Sequence, residues 1–466
     1  MLFTISLLPL IGSVNATPFR SPPEAPMHTE WSEGRSEDVV VVKLIEGAVG
    51  APVVPGAIVR PLFQRDPNSL IQERRALDPE HNLADLTGYY YVETGAGQGP
   101  RVADSLNDEP WVEIAYLAYE PQAPPEDILP DTPDFSALQD YRVAAPYGFG
   151  FDSVFNIPGA DGKNVMVADL EYSWDPEHED LYNTVDALIW GVDFGYYAYH
   201  GDAVLSIMFS PDNGYGVTGL IPEALASVVS PYTTSGFYSV ASAISGATEL
   251  LEEGDVLLIE QQLWAFENYA PVEVDPAVFD AIALATQKGI IVVEPTGNGS
   301  QDLDDPKWEG WFDPSIRDSG AIMVGGGFSP HSSGAARSWY TGGSSYGERV
   351  DVQGWYDSIV SAFNGDWGSQ YADLFYPRNS EYPSGDPRQA YTSSFGGTSG
   401  ASPIVSSVAA IIQSVNLEFY GEAMTPEQVR SLLIQTGTPQ GVGNALDYNI
   451  GPQPDVMRAL WYGVLR

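Results

Sequence analysis

Ser394-Phe395-Gly396-Gly397-Thr398-Ser399-Gly400-Ala401-Ser402-Pro403 runs directly into a small and apolar stretch, Ile404 to Ile412. The glycines call for a turn, and the run behind them predicts a buried helix over 399–415. A serine at such a junction suits nucleophilic chemistry. Its glycine neighbours let a carbonyl come close. A helix start offers free N–H groups and a dipole that favours developing negative charge. The base must come from elsewhere in the chain.

Outward from this stretch, apolar strands alternate with helices. Strands are expected at Asn164–Asp169, Ala226–Ser230, Val256–Glu260, Gly289–Glu294 and Ala321–Gly325, and helices at 200–209, 238–252, 275–288 and 425–436. Buried strands alternating with helices predict an α/β fold, a mostly parallel sheet with helices on both faces. Ligands of such sheets gather at the carboxyl ends of the strands.

The candidate base is one of five histidines, His28, His81, His178, His200 and His331. Only His200 opens a helix beside a small residue, in Tyr199-His200-Gly201-Asp202, and so belongs at a sheet rim. A histidine base needs a carboxylate to fix its tautomer. Asp169 closes Val165-Met166-Val167-Ala168-Asp169, although taken alone it reads better as an aspartate capping the next turn. Asn298, in Pro295-Thr296-Gly297-Asn298-Gly299, can aim an N–H into the same rim as an oxyanion donor, where Asn-Gly by itself means only a turn.

Ahead of this region, 38–120 reads as a small α+β unit. Strands are expected at 38–44, 89–93 and 111–119, and helices at 70–76 and 101–107. Residues 1–16 read as a signal peptide ending at Ala16, despite lacking a basic start. Residues 17–37 read as disordered, and 121–137 as a proline-rich acidic linker. The unit carrying the serine spans 138–466. The 466 residues include no cysteine, which excludes disulfides and cysteine-ligated metals. A formal charge of −43 disfavours nucleic acid and anionic membranes as partners. Outside the leader no stretch reads as a membrane span.

The segments together resemble the subtilisin-like serine protease family (peptidase S8 type). The chain order Asp, His, Ser is that of subtilisin. Gly397 to Pro403 follows the family's Gly-Thr-Ser-X-Ala-Ser-Pro. Val165–Asp169 with His178-Glu179-Asp180-Leu181, Gly289–Val293 through Asn298, Ser344–Gly347 with Val350–Val352, and Thr425–Val429 resemble further segments. The resemblance implies a secreted endopeptidase in which Ser399 attacks, His200 transfers the proton, Asp169 orients His200 and Asn298 binds the oxyanion. It also implies polypeptide substrates, a monomer and no required cofactor. Structural calcium is common in the family, and loops 175–180 and 302–305 can offer oxygens, but no segment spells a calcium loop.

The chain departs from the family pattern in three places. Leu170-Glu171 follows Asp169 where Ser or Thr and Gly are usual. His200-Gly201-Asp202-Ala203-Val204-Leu205 lacks the family's second histidine. Glu260-Gln261-Gln262-Leu263 stands where Ser-Leu-Gly-Gly is usual, which makes Glu260, Gln261 and Gln262 candidate substrate-binding residues of an altered cleft. The 38–120 unit resembles the ferredoxin-like propeptide of these proteases, an intramolecular inhibitor whose processing is expected between about 117 and 133. Two other classes stay open. A sedolisin-like acid peptidase shares the Gly-Thr-Ser nucleophile but uses acids in place of histidine. A pseudoprotease would bind without cleaving.

Overall fold

The computed structural model describes residues 26–119, 132–363, 372–441 and 447–465, less 27, 33, 49, 79–82, 377, 379, 381, 382 and 384. The expected leader, His81 and most of the linker lie outside these residues.

The first unit comprises β1 (Arg35–Leu44), β2 (Ile58–Pro61), α1 (Pro67–Leu77), β3 (Tyr89–Glu93), α2 (Gly99–Asn107) and β4 (Val112–Tyr119). Its sheet is antiparallel, in the order β2-β3-β1-β4. Strand alternation gives the sheet two apolar faces. Val40, Val42 and Leu44 pack with Ala103 and Leu106 of α2. Val41, Tyr89, Tyr91 and Tyr116 point the other way, into a core shared with the second unit. β2 leaves no signal in the sequence pattern. It is a four-residue edge strand, largely exposed and ending in Pro61, so neither apolar alternation nor length marks it.

The second unit continues with α3 (Phe151–Val154), β5 (Met166–Leu170), β6 (Leu188–Trp190), α4 (Ala198–Phe209), β7 (Leu225–Val229), α5 (Val240–Leu250) and β8 (Val256–Ile259). A hairpin of β9 (Gln262–Ala265) and β10 (Asn268–Pro271) follows, then α6 (Pro276–Gln287), β11 (Ile291–Pro295), β12 (Ile322–Gly327) and β13 (Val352–Trp355). The chain closes with β14 (Ile359–Ala362), β15 (Tyr391–Phe395), α7 (Thr398–Tyr420), α8 (Pro426–Thr436) and α9 (Val456–Gly463).

Seven strands form one parallel sheet in the order β13-β12-β11-β8-β5-β7-β6. Its central strands are apolar on both faces because both faces are covered. In β8, Val256 and Leu258 join the core beneath α4 and α7, while Leu257 and Ile259 join the core beneath α5 and α6. Each such buried aliphatic side chain contributes about 1.5–3 kcal/mol of transfer free energy. The helices therefore lie on both faces, as expected.

From β5 the chain first builds towards β7 and β6, then returns to build β8, β11, β12 and β13 on the other side. The order reverses between β5 and β8. In an open α/β sheet this reversal leaves a crevice at the carboxyl ends of the two strands. α7 is long and apolar enough to cross a membrane, but 89% of its most apolar window is buried inside the protein. Its composition is that of a core helix.

Candidate active site

The carboxyl ends of β5 and β8 carry three acids. Asp169 lies within β5, Glu171 just past its end and Glu260 just past β8. Successive side chains of a strand alternate, so Asp169 and Glu171 face the same way, one dipeptide apart. The Glu171 N–H donates to the Val229 carbonyl at 3.0 Å, which extends the ladder and pins Glu171 at the rim.

α4 brings His200 to this rim. Tyr197 takes a left-handed φ of 62° to enter the helix, and His200 lies in its first turn. Gly201 is needed for the approach, because a Cβ there would lie 2.1 Å from the Ser173 carbonyl oxygen. His200 is buried, and its Nδ1 hydrogen-bonds Glu171 Oε2. The second Glu171 oxygen accepts the Tyr172 N–H at 2.7 Å. The contact expected of Asp169 is thus made by Glu171. Asp169 is fully buried, and neither of its oxygens has a hydrogen-bond partner. Burial, and then the charge of Glu171, push its carboxyl well above the usual range. The sequence reading closes the strand at Asp169, one residue short of its end at Leu170 and two short of Glu171. An acid at i+2 on the same face, nearer the rim, was the available signal.

Ser399 is half-buried in the first turn of α7, after Gly397 at φ 80°. Asn298 reaches the same turn from the loop after β11. Its Oδ1 accepts from the Thr398 N–H at 2.9 Å and from Thr398 Oγ1 at 3.2 Å. That fixes the carboxamide and leaves its Nδ2 donors for another acceptor. Phe395, at the end of β15, packs edge-on against the His200 ring with centroids 5.8 Å apart, and its ring borders Gly400. Phe395 thus links the His200 ring to the first turn of α7. Among the described residues no hydrogen bond joins His200 to Ser399.

The three candidate substrate-binding residues separate in space. Gln262 Oε1 accepts the Asn298 N–H at 2.9 Å, so it braces the loop that carries Asn298. Gln261 is buried, bonded to the Glu260 carbonyl at 2.8 Å and to the Tyr238 hydroxyl at 2.8 Å. Glu260 is only 3% exposed and faces Ser399. Neither of its oxygens makes a regular hydrogen bond. Burial first, then Asp169 and Glu171, push its carboxyl well above the usual range, while the nearby Ser399 hydroxyl works the other way.

The remaining described histidines are engaged elsewhere. His178 is buried against the Ala390 carbonyl at 3.1 Å, and burial pushes it down to about 4. His331 pairs with Asp140 at 3.0 Å and His28 with Asp104 at 2.7 Å. No group of three or more acids and histidines is placed to hold a metal among the described residues. In the acidic loops, Asp302, Asp305 and Asp175 accept backbone N–H groups two residues on, the work of turn caps.

Among curated proteins no sequence match was found. Among solved structures, fervidolysin from Fervidobacterium pennivorans, a keratinolytic enzyme related to subtilisin, superposes with a TM-score of 0.54 at 18% identity, over 96% of this chain and 65% of that one. A protease from Pseudoalteromonas arctica superposes with a TM-score of 0.51 at 18% identity, over 71% of this chain and 99% of that one. At such identities the likeness shows the fold. The subtilase family model matches residues 162–451, which takes in the acids, His200, Asn298 and Ser399. On that match, the chain belongs to the subtilase family of serine proteases.

Proposed function

We propose that this chain is a secreted serine endopeptidase with a Glu-His-Ser triad, Glu171, His200 and Ser399, and Asn298 as oxyanion donor. The observation that carries the reading is the Glu171–His200 hydrogen bond, with Asn298 bonded to Thr398 in the turn that carries Ser399. Ser399 Oγ attacks the peptide carbonyl carbon while its proton passes to His200 Nε2. The carbonyl oxygen becomes an oxyanion, held by Asn298 Nδ2 and the Ser399 N–H. Collapse breaks the C–N bond, and His200 returns the proton to the departing amine. Water then repeats the sequence on the acyl-enzyme and releases the acid. Glu171 accepts from Nδ1, selects the tautomer and stabilises the imidazolium. No metal or cofactor takes part in these steps.

A second reading has one observation in its favour. Glu260 lies against Ser399, as a carboxylate base of an acid peptidase would. The two readings part on pH, because an imidazole base needs its neutral form and loses activity in acid, where a carboxylate base keeps it.

The first unit is read as a propeptide. Its support is the apolar sheet face that it turns onto the second unit, and the position of β4, which ends at Tyr119 just before the acidic connection.

The test is labelling with a fluorophosphonate. Wild type takes the label near neutral pH and Ser399→Ala does not. Glu171→Gln loses about four orders of magnitude in turnover, as removal of a triad carboxylate does elsewhere. Equal labelling of wild type and Ser399→Ala, or full turnover in Glu171→Gln, rejects the assignment.

A further inference from the structure

The proposed mechanism has no use for Glu260, yet its carboxyl is buried against the nucleophile. The Glu260 N–H donates to the Leu170 carbonyl at 3.1 Å, which fixes the residue beside the end of β5. Its side chain is almost wholly buried, and both oxygens lack a regular hydrogen bond. The titratable groups facing it are Asp169 and Glu171 from β5, with His200 of α4 held by Glu171. From α7 the facing group is the Ser399 hydroxyl. We propose that Glu260 is a positioning residue whose proton decides the partner of Ser399: protonated, it leaves the Ser399 hydroxyl to His200; ionised, it takes that hydroxyl for itself. The inference rests on the triad reading above.

The chemistry follows from counting hydrogens. A serine hydroxyl carries one proton and donates to one acceptor at a time. An ionised carboxylate is a far stronger acceptor than a neutral carboxyl, and a buried one without other donors has nowhere else to turn. Glu171 must be ionised to hold an imidazolium. A second negative charge beside it, out of water, is disfavoured. Glu260 therefore keeps its proton well above the pH at which an exposed glutamate loses it. Once that proton leaves, Ser399 donates to Glu260, and His200 has no proton to accept. Ser399 then faces an acid that is already satisfied by the bond and too weak a base to replace imidazole at alkaline pH. The carboxyl thus acts as an upper pH limit on nucleophile activation, separate from the lower limit set by the imidazole.

The test uses the full chain and a fluorophosphonate, with labelling rates taken from about pH 5 to about pH 10. Wild type gives a bell, and Glu260→Gln, which keeps shape and cannot ionise, gives only the rising limb. The ratio of labelling at about pH 9.5 to that at about pH 7.5 rises several-fold in the variant. Profiles of the same shape in the two proteins overturn the proposal, even if the variant is slower throughout. Loss of label at every pH in Glu260→Gln, with wild type labelled in acid, also overturns it and makes Glu260 the base.

A second measurement does not depend on activity. A group that stays protonated only when folded makes the native state less stable as pH rises above the unfolded value. The melting temperature of Glu260→Gln therefore gains on wild type between about pH 5 and about pH 8. A constant gap overturns the proposal. Absence of label in wild type at every pH, together with a widening gap, rejects the triad reading while leaving Glu260 as a buried proton holder.

Discussion

Asp169 and Glu171 illustrate how little separates an unpartnered acid from one that holds a histidine. Asp169 lies within β5 and Glu171 just past its end, on the same face, and both are buried. One meets His200 and the other meets no donor. The sequence carried the residue types, the serine turn and His200. The choice between two acids depended on where β5 stops and how closely α4 approaches. That approach is set by Gly201 and the Ser173 carbonyl, a contact between backbones that no periodicity reveals. The unpartnered acid has a measurable signature. Burial raises the Asp169 carboxyl, so the folded protein holds a proton there that the unfolded chain releases above about pH 4. Stability from this site is greatest at or below that pH and is lost as pH rises towards the folded value, by at most about 1.4 kcal/mol per pH unit. Asp169→Asn removes the dependence. Its melting temperature should gain on wild type from pH 5 to pH 8, with turnover falling by no more than about tenfold. A loss as large as that of Glu171→Gln would return the orienting role to Asp169.

At the scale of elements, the long buried strands and helices were legible because their residues are apolar on faces the fold covers. The β9–β10 hairpin was not. Phe266 and Glu267 occupy its turn with φ of 51° and 63°, a conformation that usually announces itself with Asn or Gly. In sequence the stretch from Gln262 therefore reads as a cleft wall with glycines missing, whereas in the structure it is the first arm of a hairpin. The hairpin has a definite task. β10 lies against the Asn298 loop so closely that a Cβ on Gly299 would stand 1.9 Å from the Tyr269 carbonyl oxygen. Gly297 and Gly299, on either side of Asn298, are what permit the contact, and Gln262 adds its bond to the Asn298 N–H. The glycines absent from the strand thus have counterparts in the loop it supports. Gly299→Ala must push the hairpin and the loop apart. It should lower kcat by about 10² with a smaller change in KM, the mark of a lost transition-state donor, and Asn298→Ala should fall in the same range. A change confined to KM would detach the hairpin from the oxyanion role proposed for Asn298.

The whole molecule is two units joined across a mixed surface. Tyrosines of the first unit reach acids at α6: the Tyr116 hydroxyl bonds Asp275, and Tyr89 bonds Asp280 at 2.6 Å. Tyr91 adds a bond to the Tyr238 carbonyl at 2.8 Å, and Arg65 meets Glu249 at 3.0 Å. In a chain of 63 acids and 20 lysines and arginines, burying Asp275 at this junction has a consequence. Burial outweighs its bonds to Tyr116 and to the α6 N–H groups and raises its carboxyl. Separation of the units exposes Asp275 to water and lowers it again. The docked state thus holds a proton that the separated state gives up, so docking is strongest at low pH and weakens as pH rises. If the first unit is a propeptide, amino-terminal sequencing of mature protein finds a start between about 117 and 133, as the resemblance to inhibitor propeptides implies. The cleaved unit then binds its partner more tightly at about pH 5 than at about pH 8. Asp275→Asn, which keeps the size of the side chain and cannot ionise, flattens that dependence. Binding curves that change equally with pH in both proteins would move the effect to the general repulsion between two acidic bodies, and out of the α6 junction.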